Sequence, residues 1–286
     1  GKHHSVDSKE IAFIQAGKKA FMDAVEKARP ILMEPIVSVA VTVPSDCAGG
    51  VAGDLSSMRG MVTGTEILPD SRMVVTGGVD TLNDIFMHMC FSKTHTLSAT
   101  GDARPFSKDA DGTVLGEGIG ILVLKRLKDA QKDKNRIYAV IKGLGSSSDG
   151  KSQSIYSPSV EGQIKALRTA YKNAGINPAT VGLIEAHGTG TCVGDKVEFK
   201  ALNRIFKESG ANGNKCALGS VKSMIGHTKA AAGTAGLIKT ALALHHKTLA
   251  PTLKATVPDP DLHIEESPFY LNTVSRPWVS PSDHPR

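Results

Sequence analysis

The sequence predicts an α/β fold, and three observations carry the prediction. Short apolar runs rich in β-branched residues, such as 36–43 (IVSVAVTV) and 119–124 (IGILVL), read as strands. Segments with helical hydrophobic spacing alternate with them. The composition, 40% hydrophobic and 22% charged over 286 residues, is that of a globular chain long enough for one large domain or two ordinary ones. The same balance excludes disorder, collagen and coiled coil.

The first element reads as a helix, with Ser8 as N-cap and apolar residues at Ile11, Phe13, Ile14, Ala20, Phe21 and Val25; Pro30 ends it or begins a new extended stretch. Residues 36–43 form a strand closed by Pro44. Ser45 and Asp46 cap a short helix running through Ala52 to Met58, Gly60 closes it, and 62–66 is the next strand. Residues 36–66 are thus a strand–helix–strand unit with parallel strands, because the helix between them is a crossover connection. So small a sheet cannot cover both its faces alone. Turn residues at 68–71 (LPDS) separate it from a buried strand at 73–78, which ends in a glycine turn. The strands at 119–124 and 137–142 are almost wholly apolar, as in a sheet covered on both faces. Helices fall at 160–174, 195–208 and 229–246. Strands 181–186 and 216–221 each run into a turn that carries a histidine. These last four strands are expected to share one sheet. Beyond Leu249-Ala250-Pro251 the chain becomes rich in loops.

No apolar run approaches the ~20 residues a membrane span needs. The polar start has no signal-peptide core, so a cytoplasmic location is expected. Cys47, Cys90, Cys192 and Cys216 lie far apart, form no CxxC pair and no metal set, and fit a reducing compartment. The net charge of +6 is uneven: residues 1–72 hold eight Lys/Arg against nine Asp/Glu, and the remainder holds 26 against 19. A basic surface suits an acidic partner, such as nucleic acid or an acidic carrier protein; it also serves solubility.

The chemistry concentrates at two strand ends. One is His187-Gly188-Thr189-Gly190-Thr191, the other Lys222-Ser223-Met224-Ile225-Gly226-His227. Imidazole exchanges protons near neutral pH, glycine lets a substrate approach the backbone, and threonine hydroxyls hydrogen-bond an elongated ligand. The two rings are expected to converge on one pocket with Lys222 beside them. The alternative is a pair of independent buried histidines.

Residues from about 73 to 278 resemble the β-ketoacyl synthases, the condensing enzymes of fatty-acid and polyketide synthesis. The matching runs are 75–80 (VTGGVD), 106–112 (FSKDADG), 116–118 (GEG), 185–191 (EAHGTGT) and 219–227 (GSVKSMIGH). The stretch 83–87 (NDIFM) is most similar to ketosynthases of polyunsaturated-fatty-acid synthases. The resemblance implies a thiolase-like fold and decarboxylative Claisen condensation of an acyl thioester with a malonyl thioester. It makes His187 and His227 the catalytic pair that aids decarboxylation and stabilises the enolate, with Lys222 supporting them electrostatically. Thr189 and Thr191 match threonines that contact the pantetheine arm. Asp195 and Glu198 match a supporting acidic pair with a structural or Lys222-tuning role. No bound cofactor or metal is implied. The substrate would arrive on the phosphopantetheine arm of an acidic acyl carrier protein, and a homodimer is a further possible partner.

Two departures from the family pattern stand out. The family nucleophile sits in a Cys-Ser-Ser turn upstream of the Gly-Gly strand, and no such run occurs here. Cys90 follows that strand, Cys192 follows the 187–191 run, Cys216 reads as core, and Asp46-Cys47-Ala48-Gly49 does not match the elbow. All four read as packing residues. The family's Gly-Phe-Gly-Gly-Thr-Asn motif, expected after Trp278, is not reached by Arg286.

Residues 1 to about 67 resemble the end of domain IV and the first half of the ferredoxin-like domain V of elongation factor G. The runs are 4–8 (HSVDS), 20–24 (AFMDA), 32–36 (LMEPI) and 53–60 (GDLSSMRG). No G-x-x-x-x-G-K-[ST] loop occurs, which excludes GTP hydrolysis. The expected division is therefore 1–72, an elongation factor G fragment, and 73–286, a C-terminal ketosynthase fragment. The function implied is a ketosynthase-type acyltransferase region, inactive in condensation when alone. The alternatives are a ribosome-binding fragment and a chimeric chain without function.

Overall fold

The computed structural model of the protein describes residues 10–28, 73–149, 157–213 and 215–279. The chain divides into two units, Gly1–Ile67 and Leu68–Arg286. In the first, the described element is helix α1 (Glu10–Ala28). It confirms the predicted helix. The predicted cap Ser8 and the strand–helix–strand at 36–66 lie outside the described residues.

The second unit opens with β1 (Met73–Asp80), α2 (Ile85–Lys93), β2 (Gly118–Lys125) and α3 (Leu127–Lys132). β1 and β2 pair antiparallel along their full length, from Met73 opposite Lys125 to Asp80 opposite Gly118. There follow α4 (Val160–Ala174), β3 (Leu183–Glu185), α5 (Cys192–Glu208), β4 (Cys216–Gly219) and the short α6 (Lys222–Ile225). The last elements are α7 (Ala232–His246), β5 (Thr248–Leu249), β6 (Phe269–Leu271) and β7 (Arg276–Pro277). β3, β4 and β6 form a parallel sheet with β4 in the middle. β5 and β7 make a small antiparallel pair.

Caps explain where α4 starts and stops. The Ser159 hydroxyl accepts the Gly162 N–H at 3.2 Å, and Gly175 ends the helix at a φ of +64°. α5 presents Phe199, Leu202, Ile205 and Phe206 on one face, the spacing of a core-facing helix. That face and Ile164 of α4 bury against Leu218 and Phe269 of the parallel sheet. The Phe269 ring centroid lies 4.7 Å from Phe206 and 5.9 Å from Phe199.

Three sequence expectations are corrected here. The four strands expected in one sheet do not share one: β2 pairs with β1, while β3 and β4 belong to the parallel sheet. Residues 137–142 are not a strand, because no described segment pairs with them; Ile137, Tyr138, Val140 and Ile141 are exposed. A run of β-prone side chains is not a strand without a partner for its backbone groups. Finally, β1 and β2 are not buried on both faces. α7 and the 3₁₀ turn Lys229–Ala231 pack against them, yet Val75, Ile119, Ile121 and Val123 are exposed. Apolarity alone does not supply the second layer.

Candidate active site

β3 and β4 run parallel, so the turns that follow them emerge at the same sheet end, where open α/β sheets place their ligands. The first turn carries His187 and the second leads to Lys222 and His227.

The His187 peptide is held from both sides. Its N–H and that of Gly188 donate to the two carboxylate oxygens of Glu198, at 2.7 and 2.8 Å. Its carbonyl accepts the Lys222 ammonium at 2.6 Å and the Ser220 hydroxyl at 3.3 Å. Gly188 lies at a φ of +40°, and a Cβ there would meet the Ser220 Cβ at 2.7 Å, so only glycine fits the turn. Asp195, 3% exposed, ties the turn to the preceding loop: it accepts the N–H groups of Phe106 at 2.7 Å and Gly190 at 3.2 Å. Asp195 and Glu198 are three residues apart on α5 and therefore face the turn together. The Thr189 and Thr191 hydroxyls bond each other at 2.9 Å.

His227 is fixed by its backbone, whose N–H donates to Val114 O at 2.6 Å and whose carbonyl accepts the Gly116 N–H at 3.1 Å. Its Nδ1 faces the Lys229 N–H at 3.1 Å. A nitrogen that accepts a hydrogen bond carries no proton, so the neutral ring holds its proton on Nε2. The His187 and His227 rings lie 5.5 Å apart, edge to face at 86°. The structure thus brings His187, His227 and Lys222 together, with Glu198 and Asp195 beneath them.

Burial, and after it the Lys222 charge, pushes His187 down to about 4. The same two causes, followed by His187 and Lys229, push His227 down to about 4. Both rings are neutral donors at pH 7. Lys222 is 4% exposed; burial lowers its ammonium, while Glu198, Glu185 and Asp195 oppose that shift. Asp195 is pushed up to about 7, chiefly by burial. Burial also raises Glu198 and Glu185.

These shifts have a sign in stability. The histidines are depressed in the fold, so their contribution is full above their ordinary value of 6.5 and is lost as pH falls through about 4. Asp195 is raised and acts oppositely, its contribution fading as pH rises through about 7. A His187→Gln/His227→Gln double variant is expected to lose less stability than the parent between pH 7 and 4.5, measured by urea midpoints. Equal losses in both proteins would disprove this origin.

The sequence reading missed Glu185, which accepts the Val221 N–H and pairs with Lys239 at 2.7 Å. Its place two residues before His187 was the available signal. It also missed Ser220 and Lys229. Cys216 is buried in the core, where desolvation pushes its thiol up to about 12. The Cys192 thiol donates to Ala110 O at 2.9 Å, and Cys90 is exposed on α2. Cys47 lies outside the described residues. Among those residues no thiol hydrogen-bonds either imidazole, no cluster of ligands suits a metal, and no helix is long and apolar enough to cross a membrane. An apolar groove of about 590 Å³ lies between β2 and α7, lined by Ile119, Met224, Ile238 and Leu242.

Comparison with known proteins bears on most of the second unit and reaches into the first. Two family models match: "Beta-ketoacyl synthase, N-terminal domain" over residues 38–130 and "Beta-ketoacyl synthase, C-terminal domain" over 138–256. A polyunsaturated fatty acid synthase subunit of Thraustochytrium sp. is 49% identical over 223 residues, 76% of this chain and 8% of that protein. Polyketide synthase PksL of Bacillus subtilis is 39% identical over 247 residues, 86% of this chain and 5% of that protein. The solved ketosynthase from module 6 of the bacillaene synthase of Bacillus subtilis superposes with a TM-score of 0.72 at 44% identity, covering 74% of this chain and 38% of that one. The chain therefore spans a small part of its curated relatives and under half of a solved ketosynthase. The N-terminal-domain match begins inside the stretch likened to elongation factor G, and that likeness gains no support from these matches. Fold, sequence and the relatives agree that the chain belongs to the β-ketoacyl synthase family, of the type found in polyketide and polyunsaturated-fatty-acid synthases.

Proposed function

We propose that the His187–His227 pair acts on a malonyl thioester carried on a phosphopantetheine arm. The observation that carries this reading is the pair itself: two neutral rings 5.5 Å apart, His187 just past β3 and His227 just past the short α6 that follows the adjacent parallel strand β4. As CO₂ leaves, the electrons of the broken C–C bond move into an enolate whose oxygen becomes negative. N–H donors already aimed at that oxygen lower the barrier without reorganising. Lys222 adds positive potential through the His187 carbonyl it binds. The enolate then takes a proton, giving an acetyl thioester, or attacks an acyl thioester, giving a β-ketoacyl product and a released thiol.

The first outcome needs no nucleophilic cysteine; the second does. The reading for this chain is decarboxylation without condensation, supported by Cys216 being buried in the core and Cys192 being tied to Ala110. Thr189 and Thr191 are proposed to meet the pantetheine arm. The partner proposed is an acidic acyl carrier protein, to which the basic excess of residues 73–286 is complementary.

The test supplies acyl and malonyl thioesters and follows acetyl and β-ketoacyl products by mass spectrometry. Acetyl thioester alone is expected. A β-ketoacyl product that disappears in Cys192→Ala or Cys47→Ala would show that one of these thiols carries the acyl group and would overturn the non-condensing reading. Cys47 is included because it lies within the N-terminal-domain match. Absence of any decarboxylation, with co-sedimentation on ribosomes, would favour the elongation-factor alternative instead.

A further inference from the structure

Lys229 stands two residues past His227 in a left-handed backbone conformation, at a φ of +43°. A non-glycine residue stays there only where its surroundings hold it. Here the hold is the side chain. The ammonium donates to Asn83 Oδ1 at 2.6 Å and to the Gly116 carbonyl at 3.2 Å, and pairs with Asp80 at 3.0 Å. Three acceptors match the three protons of an ammonium. Both members of the ion pair are largely buried.

Each acceptor is itself fixed. Asp80 ends β1, and its carboxylate also accepts the N–H groups of Ala230 and Leu82, both at 3.2 Å. The Asn83 N–H donates to Glu117 at 2.9 Å. β1 comes this close because residue 78 is glycine: a Cβ there would lie 2.5 Å from the Ala230 carbonyl and 2.7 Å from the Ala231 Cα. Three stretches far upstream of Lys229, 75–80, 83–87 and 116–118, thus meet at its side chain. The backbone of that residue in turn delivers its N–H to His227 Nδ1 at 3.1 Å.

We infer that Lys229, clamped by Asp80, Asn83 and the Gly116 carbonyl, is a positioning residue that locks His227 in the tautomer with its proton on Nε2. The clamp does not touch substrate. It sets which nitrogen is the donor and holds the ring in place, as partners on the far side of a working imidazole do elsewhere. This rests on the proposed function only in taking His227 as a ring that acts on substrate.

The tautomer is read without substrate, by nitrogen NMR of the full chain labelled with ¹⁵N-histidine, at pH 8 where the rings are neutral. The parent should show His227 in one form, Nδ1 bare and Nε2 protonated. In Lys229→Met and in Asp80→Asn, the form protonated on Nδ1 should appear at His227 while the His187 pattern stays unchanged. Asp80→Asn is nearly isosteric and keeps the test open should Lys229→Met fail to fold, as judged by circular dichroism. A single Nε2-protonated form in a folded variant of either kind overturns the assignment, because a purely structural clamp would leave the tautomer alone. A parent with one tautomer and no decarboxylase activity would defeat the proposed function and leave this assignment standing.

Discussion

Replacing His227 with alanine is expected to lower malonyl-thioester decarboxylation about 10²–10³-fold, the usual effect of deleting one donor aimed at a developing oxyanion. The physical case is specific to this ring. Its Nδ1 is occupied by the Lys229 N–H, so Nε2 alone is left to donate. Burial and the nearby Lys222 charge keep the ring neutral, so it acts as a hydrogen-bond donor of fixed tautomer. The loss should fall on kcat with KM little changed, since the oxygen carries full charge only as the reaction proceeds. His187→Ala should give a loss of similar size, and the double variant less than the product of the two, because both rings serve one oxygen. Steady-state release of CO₂ measures all three. Retention of the parent rate by either single variant would remove that ring from the chemistry.

The largest structural effect is expected at Phe269. Phe269→Ala should lower stability by about 3–5 kcal/mol, the range for truncating a fully buried phenylalanine. For a unit of this size that is roughly 6–20 °C in melting temperature. Phe269 is fully buried, and its ring packs on Phe199 and Phe206. It therefore joins β6 to α5. The first turn of α5 carries Asp195, and one turn later Glu198 holds the His187 and Gly188 N–H groups. Any collapse around the cavity is transmitted toward the active-site turn, so the folded variant should also lose activity. Phe269→Leu, which keeps most of the volume, should lose much less of both. Differential scanning calorimetry beside the decarboxylation assay decides it, and a melting temperature within a degree or two of the parent would refute the packing argument.

What could be read in the sequence was local. Helices at 160–174 and near 195–208 were legible because their apolar spacing lies within the segment that folds. The histidine turns were legible because glycine and threonine beside imidazole have few purely structural uses. Residues 137–142 misled because strand formation depends on a partner elsewhere in the chain. Strands β1 and β2 misled because their side chains announce burial, but only the packing of α7 decides which face receives it. The Lys229 clamp was invisible for the same reason. Its acceptors are an aspartate, an asparagine and a carbonyl more than a hundred positions upstream, and nothing in the run 227–231 (HTKAA) marks the left-handed turn.

That distance also has a temporal side. Asn83 precedes Lys229 by 146 residues. During synthesis at about 5–20 residues per second, the upstream half of the clamp waits on the order of ten seconds for its lysine. Over that interval β1 and β2 can already pair, while the face destined for α7 is wet. Contacts of such long sequence separation also form slowly, because the loop must close before any bond rewards it. The imidazole geometry is therefore among the last features to mature, because the site stays incomplete until Lys229 reaches Asp80, Asn83 and the Gly116 carbonyl.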